Sequence, residues 1–136
     1  MTTPTLEPIT FGELPLRIED VLALARQQAP ARLQADAAFR ERIAKGARFL
    51  DSLLDKEGVI YGVTTGYGDS CVVAVPLHHV EALPRHLYTF HGCGLGKLLD
   101  PAATRAVLAA RLQSLCHGVS GVRVELLERL QAFLEQ

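Results

Sequence analysis

The sequence predicts a mainly α-helical chain with an irregular N-terminal arm and one glycine-rich loop near its middle. Three observations lead there. Apolar residues recur at helical spacing along most of the chain, and Asp100-Pro101 pairs an N-cap aspartate with a proline suited to the first helical position. Between them, Gly62, Gly66 and Gly68 fall within seven positions, which disfavours regular helix.

The arm, residues 1–16, carries Pro4, Pro8 and Pro15 around the β-leaning run Ile9-Thr10-Phe11, so one strand is expected there. A first helix begins at Ile18, with Ile18, Val21, Leu22 and Ala25 as its apolar stripe, and Gln28-Ala29-Pro30 interrupts it. A longer helix runs from about Asp36 to Lys56 on the stripe Phe39, Ile43, Ala47, Leu50 and Leu54, and Gly58 ends it. The stretch Val59 to Pro76 is the least regular, and long loops in compact chains tend to be functional. Helix returns from about Leu77 to Cys93, with Pro84 as a kink. The helix opened by Asp100-Pro101 carries Val107, Leu108, Leu112 and Leu115, and Gly118 is its stop. A last helix carries Val124, Leu127, Leu130 and Leu134.

Composition removes several classes of function. The chain has 136 residues, 49% hydrophobic and 21% charged, as one globular domain should. A net charge of -1 gives no electrostatic reason to expect nucleic acid or an anionic membrane. No apolar run approaches a membrane span, and the start lacks the basic and apolar regions of a signal peptide, so a cytoplasmic location is expected. Cys71, Cys93 and Cys116 form no CxxC pair and read as reduced thiols. His91, Cys93, Cys116 and His117 match neither zinc-finger nor zinc-deaminase spacing, so no metal site is expected. Gly92-Cys93-Gly94-Leu95-Gly96-Lys97 has three residues between its outer glycines, where a Walker loop needs four, and no serine or threonine follows the lysine.

The specific signal is a set of separated segments. Tyr61-Gly62-Val63-Thr64-Thr65-Gly66-Tyr67-Gly68 resembles the tyrosine loop of the aromatic amino acid ammonia-lyases, usually Tyr-Gly-Val-Asn-Thr-Gly-Phe-Gly. His91-Gly92-Cys93-Gly94-Leu95-Gly96 is similar to their His-Ala-Ala-Gly-Ile-Gly. Arg111-Leu112-Gln113-Ser114-Leu115 and Gly118-Val119-Ser120-Gly121-Val122-Arg123 resemble their Arg-x-Asn-x-Leu and Gly-x-Ser-Gly-Ile-Arg segments, and Ile18-Glu19-Asp20-Val21 stands where the family has its first helix. Order and approximate spacing agree over nearly the whole chain. The chain therefore resembles the N-terminal part of a member of this family, closest to the histidine ammonia-lyases.

The resemblance implies the aspartase-like helical superfamily, with an irregular arm and a glycine-rich active-site loop. Residues 1–136 would be an incomplete N-terminal segment of such a domain, without the central helical bundle. It implies elimination of ammonia from histidine or a related aromatic amino acid, within a tetramer whose sites draw on several subunits. It implies the electrophile methylidene-imidazolone (MIO), which the family makes from an internal Ala-Ser-Gly.

By the same resemblance Tyr61 is the base that takes the proton beside the ring, and Gly68 is the glycine beside the substrate. Phenols ordinarily ionise near pH 10, so a tyrosine base requires a polarising neighbourhood. His91 corresponds to the position that sorts substrate side chains, and Phe90 before it stands where histidine-specific enzymes commonly have serine. Read without the family, Tyr61 is an ordinary half-buried aromatic beside a strand, and His91 is equally a capping or core histidine near the end of a helix. His78, His79, His86 and His117 have only a surface or packing reading.

Four departures stand out. Thr64 and Gln113 replace asparagines, and Tyr67 replaces phenylalanine. No Ala-Ser-Gly occurs, Val119-Ser120-Gly121 being the nearest. The MIO is therefore expected from a missing continuation or a second chain, and this chain alone is not expected to catalyse. The last helix stays periodic to Gln136 and the helices from about 101 onward are apolar on more than one face, so the chain reads as cut from a larger core. An aminomutase of the same family, a non-catalytic ligand-binding or partner subunit, and a free-standing helical interaction domain are the alternatives.

Overall fold

The computed structural model describes residues 6–56 and 58–136; the beginning of the arm, with Pro4, lies outside them. They divide into two compact units, one formed by the chain up to Arg48 together with Leu98–Gln136, the other by Phe49–Lys97.

The first unit opens with β1 (Ile9–Phe11), α1 (Ile18–Ala25) and β2 (Ala31–Leu33). The two short strands pair in parallel, with Ile9, Thr10 and Phe11 opposite Ala31, Arg32 and Leu33. Parallel strands need a crossover, and α1 supplies it. The Arg17 N–H donates to the Asp20 carboxylate at 2.9 Å and so closes the start of α1. Helix α1 is where its periodicity puts it, but the buried face is Ala23, Leu24 and Ala25, while Ile18 and Leu22 are exposed. Apolar residues occupy nearly every position there, so spacing could not choose the face; packing against α5 does.

Helix α2 (Ala37–Asp55) begins in this unit and ends in the other. Asp36 caps it: the Phe39 N–H donates to its carboxylate at 2.7 Å and holds that carboxyl below the usual aspartate range. Phe39 and Ile43 enter the core as the stripe requires. In α5 (Pro101–Leu115) the Asp100 carboxylate accepts the Ala103 N–H at 3.0 Å. Its Leu112 and Leu115 are buried, whereas Val107, placed on the same stripe by spacing, is exposed. Gly118, at φ +77°, closes this helix. Helix α6 (Val124–Leu134) buries Leu127 and Leu134.

Phe11, Phe39, Ile43, Leu112, Leu115 and Leu127 form the centre of one core, each worth about 1.5–3 kcal/mol of transfer free energy. Side chains of α5 and α6 also tie down the arm and the start of β2. The Gln113 amide donates to the carbonyls of Gly12 and Leu14 at 3.1 and 3.0 Å, and Gln131 donates to Ala31 at 3.1 Å. Gln113 thus fastens the arm. Gly46 in α2 has its own reason: a Cβ there would lie 2.3 Å from the Gly118 carbonyl oxygen.

The second unit contains the end of α2, a 3-10 turn over Gly68–Val72, α3 (Leu77–Val80) and α4 (Leu83–His91). The single helix expected from Leu77 to Cys93 is two. Pro84 does not kink it; it lies in the first turn of α4, where its missing N–H leaves no bond unmade. Among the described residues no helix is long and apolar enough to cross a membrane.

Candidate active site

The glycine-rich loop builds itself almost wholly from polar contacts. Gly58 donates its N–H to Leu53 at 2.8 Å and ends α2. The chain then turns over residues 61–64, the Val63 and Thr64 N–H groups both reaching the Ile60 carbonyl, at 3.0 and 2.9 Å. Gly62 takes φ +71°, and a Cβ there would meet the Tyr67 ring at 2.8 Å, so both backbone and space demand glycine. An isolated antiparallel bridge joins Thr65 to Ala74. Its flanking bonds run from Gly66 N–H to Val73 and from Val75 N–H to Thr64, at 3.0 and 2.9 Å.

The phenol of Tyr61 folds back over this turn. The Gly68 N–H donates to its oxygen at 2.9 Å, and the Tyr67 ring meets the Tyr61 ring edge-on, with centroids 6.5 Å apart. Gly68 is at φ +56°, and beside its Cα there is open space. The Tyr61 side chain itself is 65% exposed. The backbone N–H fixes where the phenolic oxygen stands, at the mouth of the turn.

Helix α4 presents Leu83, His86, Leu87, Phe90 and His91, spaced i, i+3, i+4, i+7 and i+8, to an open cleft of about 640 Å³. Gly66, Tyr67 and Ser70 line the same cleft. Its size suits a small molecule, and its walls mix apolar surface with imidazoles and hydroxyls. The Phe90 and His91 rings lie 5.2 Å apart, tilted at 63°. His91 sits in the last turn of α4.

The sequence-derived residues therefore fall into two pairs. Tyr61 and Gly68 are joined by a hydrogen bond; Phe90 and His91 share the cleft. Tyr67, read from the sequence only as a mild substitution, touches Tyr61 and lines the cleft. Ser70 and His86 also line it and were missed; the 3.6-residue period through Phe90 and His91 was the available signal for His86. Cys71 and Cys93 are exposed free thiols and Cys116 is buried. Among the described residues no cluster of three His, Cys, Asp or Glu side chains could hold a metal.

The model of the aromatic amino acid lyases matches residues 16–136. The chain belongs to this family. It is 37% identical to the histidine ammonia-lyase of Symbiobacterium thermophilum over 119 residues, 88% of this chain and 23% of that one. Among solved structures it is similar to tyrosine aminomutase from Streptomyces globisporus, at TM-score 0.86 and 31% identity, covering 95% of this chain and 24% of that one. Histidine ammonia-lyase from Trypanosoma cruzi gives TM-score 0.75 at 25% identity, with 95% and 24% covered. The mainly helical fold expected from the sequence is thus the fold of this family. The chain spans about a quarter of the length of the relatives it matches.

Proposed function

We propose that this aromatic amino acid lyase chain is the N-terminal part of an ammonia-lyase, residues 1–136 forming an incomplete segment of its domain, and that Tyr61 is its catalytic base. The hydrogen bond from Gly68 N–H to the Tyr61 oxygen carries this reading. An ammonia-lyase removes a proton from the carbon beside the aromatic ring and ammonia from the next carbon, leaving a carbon–carbon double bond. The deprotonated phenol accepts the proton, and the Gly68 N–H holds its oxygen in place for that transfer. The open space beside Gly68 leaves room for the substrate. Phe90 and His91 would sort the side chain, an imidazole or phenol finding a hydrogen-bond partner in His91 and an apolar surface in Phe90.

The MIO would supply the electrophile that activates the departing amine. This chain does not fit the role of its source: its only Ser-Gly, Ser120-Gly121, follows Val119 and serves in the turn after α5, where Gly118 and Gly121 both have positive φ. The remainder of the polypeptide or a second chain would provide that group, together with the tetrameric assembly.

The test is Tyr61→Phe in the full-length assembled protein. Turnover of histidine, tyrosine or phenylalanine should fall by about 10²–10⁴-fold, the usual worth of a general base. Turnover within about twofold of the parent would instead indicate a ligand-binding or partner subunit. The similarity to an aminomutase favours one further check, product analysis: an aryl acrylate marks a lyase, a β-amino acid an aminomutase.

A further inference from the structure

The Tyr61 side chain is largely exposed and gains little from packing, yet a base must be held to a fraction of an ångström. Two adjacent hydroxyls supply the constraint. The peptide N–H before Tyr61, that of Ile60, donates to Thr64 Oγ1 at 2.8 Å, and that hydroxyl donates onward to the Gly58 carbonyl at 3.0 Å. The N–H after Tyr61, that of Gly62, donates to Thr65 Oγ1 at 3.1 Å, and that hydroxyl donates to the Gly66 carbonyl at 2.9 Å. Thr65 is buried, and the bridge to Ala74 anchors the pair on a second segment.

We infer that Thr64 and Thr65 are positioning residues for Tyr61, gripping the backbone on both sides of it while the Gly68 N–H fixes the far end of the ring. This inference rests on the reading of Tyr61 as the base. It also explains Thr64 itself. Where the usual loop has asparagine, this chain makes the brace with a hydroxyl that accepts one backbone bond and donates another. Valine at position 64 keeps the shape and loses both bonds; serine keeps both bonds and loses a methyl group.

The experiment is steady-state kinetics of Thr64→Val and Thr64→Ser in the full-length assembled protein, beside Tyr61→Phe. Thr64→Val should lower kcat by about 10–100-fold with KM changed by less than about threefold, because the base is misplaced and the substrate cleft is untouched. Thr64→Ser should recover kcat to within about threefold of the parent. Equal losses in the valine and serine variants, or a valine variant within about twofold of the parent, overturn the inference. If Thr64→Val does not assemble, Thr64→Ala is judged by the same criteria; failure of both to assemble means the bonds serve stability and not positioning. If Tyr61→Phe retains turnover, the base reading itself has failed. If Tyr61→Phe abolishes turnover while Thr64→Val preserves it, only the positioning role has.

Discussion

Residues 6–48 with 98–136, and residues 49–97, are held in shape by different forces. Every buried apolar side chain of the core, from Phe11 to Leu134, belongs to the first unit. In the second, Thr65 is the one buried residue among those described, and Phe49, Val59, Tyr88, Phe90 and Leu95 are all more than half exposed. The first unit gains its stability from area removed from water; the second draws its form from a bridge, two threonine hydroxyls and glycines at positive φ. Candidate chemistry sits in the unit without a core. Polar bracing costs little burial and leaves Tyr61 and the α4 face open to a ligand, which a packed core would not.

The largest effect that tests this contrast is a pair of truncations. Leu112→Ala, at a fully buried position, should cost the 136-residue chain about 2–5 kcal/mol, since it leaves a cavity in a packed centre. Phe90→Ala, at a side chain 78% exposed, should cost less than about 0.5 kcal/mol. Urea unfolding followed by helical circular dichroism measures both. Similar losses at the two positions would show that the second unit has a core of its own and break the comparison.

The same contrast explains what was legible in the sequence. Elements defined by local chemistry were readable: the Asp100 cap, the Gly118 stop and the strand Ile9–Phe11. Elements defined by partners were not. Ala31–Leu33 has no β-branched or aromatic residue and is a strand only because β1 lies beside it. The faces of α1 and α5 were misjudged at Ile18, Leu22 and Val107 because several stripes fit an alanine- and leucine-rich helix equally well. In the site, the loop motif pointed to Tyr61 and Gly68, but not to the bond between them, which depends on the turn closing. Tyr67, Ser70 and His86 were invisible as a group because α4 and the 3-10 turn meet only in three dimensions.

A smaller effect should come from Cys116. Burial pushes its thiol up to about 11 from the ordinary 9.0, against a lesser opposing pull from Arg42. An acid whose folded value is raised stays neutral in the fold while the unfolded chain ionises. Its contribution is therefore complete below pH 9.0 and is lost as the pH rises toward about 11. The melting temperature of the chain should fall across that window, and Cys116→Ala should flatten the fall. An unchanged slope in that variant would mean that other groups set the alkaline limit of the first unit.

The smallest effects compare one backbone conformation in the two units. Gln27 and Gly68 share the left-handed region, at φ +54° and +56°. Gln27 is held there by bonds that close α1, its own N–H reaching Leu24 at 3.1 Å and that of Gln28 reaching Ala23 at 2.8 Å. Relief of its strain by Gln27→Gly is worth about 1–2 kcal/mol, and the added freedom of the unfolded chain returns about 0.4–1 kcal/mol of that. Stability should therefore rise by up to about 1.6 kcal/mol, the strain relief outweighing the entropy returned. Gly68→Ala reverses the exchange, with open space where the methyl group would stand and so no clash to add. It should shift unfolding of the first unit by less than about 0.5 kcal/mol, because that unit owns the core that unfolds. Hydrogen exchange resolved by residue separates the two cases. Exchange slowed throughout α1 in Gln27→Gly, with Gly68→Ala altering only residues of the loop, is the expected pattern. A change in the α1 and α5 amides caused by Gly68→Ala would mean that loop and core unfold as one cooperative body.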